Sequence, residues 1–212
     1  MKKKIFTAVF SISIILLMSF SCVEHEVVPP PTNNVDLNGH FEAYIDGNQV
    51  EFTQNVSGYK GYASNTAYIN PSPTLSKMVY SSEMSSMSQP KSIKLSLGSL
   101  EWDAALNLEP TNSEFSDYHN MTSSSTIVFS DFAYNGFMVE YFDENGQQWV
   151  SMENSTSAQN VTFSSISQAS DNLGDYSKFE CSFNCYVYKN DIVGALDSIQ
   201  IQSGKFNGWF IR

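Results

Sequence analysis

From Tyr176 to Tyr188 the chain keeps a strict alternation. Phe179, Cys181, Phe183, Cys185 and Val187 are apolar, and Lys178, Glu180, Ser182 and Asn184 stand between them. Successive side chains on a strand point to opposite faces, so this pattern buries one face and wets the other. Wound into a helix, the same residues would present no coherent face. A chain with such a segment must build a sheet around it.

The same period recurs elsewhere. Phe41, Ala43 and Ile45 alternate with His40, Glu42 and Tyr44, and Asp46-Gly47-Asn48 turns the chain into Val50 and Phe52, which predicts a β-hairpin. Ile93, Leu95 and Leu97 alternate until Gly98, after which Leu100 and Trp102 carry the apolar phase one residue late, as at a β-bulge. Strand-like runs also cover 76–81, 125–132, 136–142, 147–152, 160–167, 198–202 and 205–211. Asn135-Gly136, Asn145-Gly146 and Ser203-Gly204 supply turns between them. Residues 81–90 and 151–159 read as polar loops. One helix is expected near 112–119, two turns at most, because Thr111-Asn112-Ser113-Glu114 matches a capping box.

Many short strands with turn signals predict an all-β domain. An antiparallel two-sheet sandwich of jelly-roll type is the expected architecture, with a calycin-like barrel as the alternative. Cys181 and Cys185 would lie on one apolar strand face, with alpha carbons about 13 Å apart. That is beyond disulfide reach, so both are expected to be buried free thiols.

The N-terminus follows a different logic. Lys2, Lys3 and Lys4 precede the uncharged, mostly apolar stretch from Ile5 to Phe20, too short for a spanning helix but suited to a secretory signal. Ser19-Phe20-Ser21-Cys22 resembles the bacterial lipobox, with Ser19 where Leu is usual. The resemblance implies cleavage between Ser21 and Cys22 and lipidation of Cys22. Residues 22–38, with Glu24, Glu26 and Pro29-Pro30-Pro31, read as an acidic, proline-rich tether, and 39–212 as a single β domain. With the Phe41–Gly47 opening, the Gly146–Trp149 hairpin and the closing Gly204–Gly208 strand, the chain resembles cell-envelope lipoproteins of the Bacteroidota. That resemblance implies an outer-membrane location and a lipid-anchored β domain, and it carries over no catalytic residues.

Loss of residues 1–21 removes three of eleven basic side chains, leaving eight against twenty-two acidic ones and a net charge of −14. Such a surface repels nucleic-acid backbones, and the only arginine is the last residue, Arg212. Membrane attachment must then come from lipid.

Catalytic motifs are sparse. His25, His40 and His119 have no metal-ligand spacing and no nucleophile elbow nearby, so His119 reads as structural. Glu101 and Asp103 flank Trp102 on one strand face, but that face should point to solvent. Asp143-Glu144-Asn145-Gly146 lacks the later ligands of a calcium loop and reads as a hairpin turn, and Asp171–Asp175 likewise reads as a turn. Tyr186 and Tyr188 share the polar face of their strand and form the candidate stacking platform for a ligand. No metal or other cofactor is expected. The expected role is a non-enzymatic binding or accessory module for a glycan or protein ligand. The alternatives are a carbohydrate-active enzyme and a structural envelope component.

Overall fold

The computed structural model describes residues 34–123, 125–153, 158–189 and 197–212. The signal, Ser21, Cys22, His25, Glu24, Glu26 and most of the expected tether lie outside the described residues. Among the described residues, ten strands and one α-helix follow in the order β1 (His40–Ile45), β2 (Asn48–Thr53), β3 (Tyr59–Tyr68), β4 (Ser76–Ser86), β5 (Ser92–Trp102), α1 (Asn112–Thr122), β6 (Phe137–Phe142), β7 (Gln148–Ser151), β8 (Asn160–Ser170), β9 (Asp175–Lys189) and β10 (Ser198–Ile211). All the named strand pairings are antiparallel and belong to one curled sheet, a half-barrel with strand order β2-β1-β10-β9-β7-β6-β5-β4-β3.

β9 is the branch point. β10 pairs with one of its edges from Tyr176 to Tyr188. The other edge is shared, by β8 along Asp175–Asn184 and by β7 along Val187–Lys189. The inward residues Phe179, Cys181, Phe183, Cys185 and Val187 are buried, as the alternation predicts. Both cysteines are free and buried, and burial pushes both thiol pKa values well up. Phe41, Leu95, Phe137, Phe163, Phe206 and Phe210 meet them in the core.

The first hairpin forms as predicted: Asp46 (φ 50°) and Gly47 (φ 78°) both adopt the left-handed conformation that matches strand twist. In β5 the bulge falls where the phase slips. Met78 pairs Leu100 and Tyr80 pairs Leu97, so three steps of β5 oppose two of β4, with Ser99 at φ 79°.

Four local expectations need correction. Ser203-Gly204 makes no turn; 198–211 is one strand with a bulge, and Gly204 is needed for close approach, since a Cβ there would sit 2.9 Å from the Phe183 ring. The expected loop after Ser81 is strand to Ser86, because Met84 and two serines of β4 are inside: Ser81 hydrogen-bonds Ser96 (2.9 Å), and Ser82 accepts from the Trp209 amide (3.3 Å). The run 125–132 forms only an isolated bridge, Phe129 to Phe137. β5 and β7 already occupy most of the edges of β6. The helix has eleven residues, three turns, with its capping box at Thr111 and Glu114 as predicted. α1 buries Phe115 and His119 in the core, which extends it beyond what its weak amphipathic pattern suggests.

Gly98 sets the outer surface near the bulge. A one-turn 3-10 helix, Ala133–Asn135, sits directly on it. A Cβ at position 98 would run into the Ala133 carbonyl and lie 2.7 Å from Tyr134 Cα. Gly98→Ala should therefore destabilise the domain by about 3 kcal/mol through overpacking. Urea denaturation measures it, and an unchanged midpoint would mean the turn does not rest on β5.

Candidate functional site

Lys77 lies between Tyr68 of β3 and Glu101 of β5 in adjoining registers, so three side chains form a row across the sheet. The 3-10 turn held by Gly98 brings Tyr134 over this row. The Lys77 ammonium is 5.8 Å from the Tyr134 ring centre, and its Nζ donates to Asn135 Oδ1 (2.9 Å) and pairs with Glu101 (3.8 Å). Tyr68 leans on Tyr134 with ring centres 5.0 Å apart, and Phe132 stacks on Tyr134 at 5.4 Å and 18°. Tyr134 is thus enclosed by its neighbours. Tyr68 (43%) and Phe132 (59%) present open ring surface. The result is an exposed aromatic strip bordered by an ammonium, a carboxylate and an amide, a combination that can stack a flat apolar face and hydrogen-bond its edges.

Sequence reading missed this strip. Phe132 was expected inside a strand, and its partners are 64 and 2 residues away along the chain. The one available signal was an aromatic pair, Phe132 and Tyr134, flanking a turn. Tyr186 and Tyr188 lie on the outer face of β9, as expected, and both are half-buried. Tyr186 is opposite Gln200, and Tyr188 sits between Ser198 and Val150.

The carboxylates singled out in the sequence have local partners. Asp103 accepts from the Ala105 amide (2.9 Å), while Glu101 faces Lys77 (3.8 Å), so each has its own partner. Asp143 accepts from the Asn145 and Gln147 amides (2.8 and 3.0 Å) and from Trp149 Nε1 (3.0 Å), which makes it the hairpin turn expected. Burial alone would raise its pKa, but these three bonds outweigh it and hold the carboxyl below the usual range. Asp171 accepts from the amides of Val35, Leu173 and Gly174 and from the Tyr176 hydroxyl. An open cleft of about 510 Å³ at the Asp46 end is edged by Asp46, Lys91 and Glu144, with Lys91 and Glu144 paired at 3.6 Å.

His119 is caged by Tyr80, Phe115, Tyr118 and Phe210, with ring centres 4.5–5.1 Å away. Its Nδ1–H donates to the Phe115 carbonyl (2.9 Å), and Nε2 meets no hydrogen-bond partner among the described residues. Tyr118 in turn donates its hydroxyl to the Gly98 carbonyl, tying the helix to the bulge. Desolvation pushes the His119 pKa down to about 3. It is a neutral core residue and serves no proton transfer at the surface. His40 is half-buried at the start of β1, beside Glu51 (3.2 Å).

No known protein family, curated protein or solved structure matches this chain. The functional reading therefore rests on the residues themselves.

The caged histidine gives a pH dependence. Unfolded, His119 takes up a proton below about pH 6.5; folded, it stays neutral down to about 3. Its contribution is complete above pH 6.5 and is lost as pH falls from 6.5 towards 3, by up to about 1.4 kcal/mol per unit. Denaturation of wild type and His119→Leu at pH 7, 5.5 and 4.5 should show the steeper loss in wild type. Parallel curves would mean that His119 titrates normally in the fold.

Proposed function

We propose that this protein is exported, cleaved between Ser21 and Cys22, and held at the outer membrane by lipid on Cys22. Its β domain acts as a non-enzymatic binding module that takes a glycan on the Tyr68–Tyr134–Phe132 strip. One observation carries the ligand reading: two open aromatic faces, on β3 and on the turn that rests on β5, stand beside Lys77, Glu101 and Asn135. A pyranose ring offers an apolar face for stacking and hydroxyls for such a border. The strip replaces Tyr186 and Tyr188 as the preferred platform because its rings are more open. Export rests on the basic start, short apolar run and Ser21-Cys22.

On architecture, we infer a partly closed, calycin-like barrel over the two-sheet sandwich. The free end of β10 runs beside β3, where Asn65 Nδ2 donates to the Ile211 carbonyl (3.2 Å), and this contact supports closure.

Two measurements test the reading. Metabolic palmitate should label the wild-type protein and not Cys22→Ala; label persisting in that variant contradicts the anchor. On a glycan array the chain should give hits that weaken about tenfold in Phe132→Ala, equal to about 1.4 kcal/mol. Hits indifferent to Phe132 and Tyr68 would move the site, an empty array would remove the glycan, and turnover of an arrayed sugar would make the protein an enzyme.

A further inference from the structure

Every exposed leucine and isoleucine among the described residues, Ile69, Leu75, Leu106, Leu108 and Leu173, lies in a loop at one end of the sheet. The registers fix this. β3 ends at Tyr68 opposite Lys77 near the start of β4, and β4 begins at Ser76 opposite Trp102, the last residue of β5. β10 ends at Ile211 opposite Tyr176 near the start of β9, and β8 ends at Ser170 opposite Asp175. The loops 69–75, 103–110 and 171–174 are therefore neighbours in space, and Arg212 ties Glu109 of the second (3.0 Å) to Asp175, the first residue of β9 just after the third (2.8 Å).

These loops are well-built. Trp102 Nε1 donates to the Asn107 carbonyl (3.0 Å), and Asp103 caps the following turn. Asp171 gathers the turn that carries Leu173. Such turns accept polar residues at their tips, yet Leu108 is 93%, Leu106 78% and Leu173 73% exposed. Five bare aliphatic side chains on neighbouring loops at one end mark an interaction surface rather than singly scattered exposure.

The chain outside the described residues indicates what covers them. Val35 donates its amide to Asp171 Oδ2 (2.8 Å), so the N-terminal segment joins the domain at this same end. Cys22 lies thirteen residues before Val35, a reach of about 45 Å when fully extended. β10 has fourteen residues, about 46 Å of strand. The opposite, Asp46 end is thus about as far from Val35 as the whole tether can stretch, whereas the leucine end is beside it. Arg212 offsets part of the acidic charge at this end by pairing with both Glu109 and Asp175.

We propose that the loop tips carrying Leu106, Leu108, Leu173, Ile69 and Leu75 rest in the interfacial layer of the bilayer that holds the lipid anchor. They act as a second, shallow membrane contact that fixes the domain's orientation. This rests on lipidation at Cys22. The aromatic strip lies on the sheet flank behind the tips and stays open to a ligand running along the membrane.

The test uses the full lipidated protein on phosphatidylcholine vesicles, with an environment-sensitive fluorophore at Leu106→Cys, Leu173→Cys, Phe132→Cys or Met87→Cys, the last at the Asp46 end. Brominated lipid should quench the probes at 106 and 173 more than twofold over that at 87. Equal quenching at 87 and 106, with the protein floating on vesicles, overturns the docked orientation and leaves the anchor standing. Failure to float removes anchor and docking together. A shift at 106 that needs no vesicles and grows with protein concentration assigns the leucines to a second copy and contradicts the proposal. Equal quenching at 132 supports the docking but withdraws the strip as a ligand site.

Discussion

β9 is bonded on both edges and buried on one face, and the rest of the domain depends on that arrangement. Its register with β10 orders the N-terminal hairpin, because β1 pairs β10. Its other edge divides between β8 and β7, and β7 leads through β6 and β5 to β4 and β3. The inward row of Phe179, Cys181, Phe183, Cys185 and Val187 therefore meets both arms of the curled sheet. A slip of one residue would turn that entire row to solvent and bring in Lys178, Glu180 and Asn184. That penalty makes the register of β9 unambiguous and lets small bulges elsewhere absorb the curvature.

Three of those bulges carry a serine with positive φ: Ser99 in β5, Ser165 in β8 and Ser203 in β10. The left-handed conformation costs a non-glycine residue about 1–2 kcal/mol. It is sustained here because the flanking pairs hold on both sides. The bulge in β5 does more than bend the strand. Beside it, Gly98 receives the 3-10 turn on the outer face and the Tyr118 hydroxyl on its carbonyl, so the strip and the helix that cages His119 share one anchor point.

The legible parts of the fold were those where one face is dry and the other wet. β1, β2, β6 and β9, and β5 up to its bulge, alternate cleanly and form where expected. β3 alternates only weakly and only up to Ala63: from Ser64 to Tyr68 every residue is exposed, and pairing with β4 holds that half in the sheet. The second half of β4 reads as loop because its interior positions include serine, whose burial depends on the Ser96 hydroxyl and the Trp209 amide across the sheet. The 125–132 run carries strand-like residues but finds little free edge to join. The strip was illegible for a related reason: Tyr68 and Tyr134 meet through the register of three strands and the close approach at Gly98, neither of which is a local property of the sequence.

Hydrogen exchange of the consecutive amides Glu180 to Phe183 tests the central role of β9 most directly. These residues face β10 and β8 at once, so alternate amides point to opposite neighbours. The account predicts uniform protection through all four, with exchange only on global unfolding. Fast exchange at every second amide would mean one edge of β9 is open, and would contradict the arrangement described here.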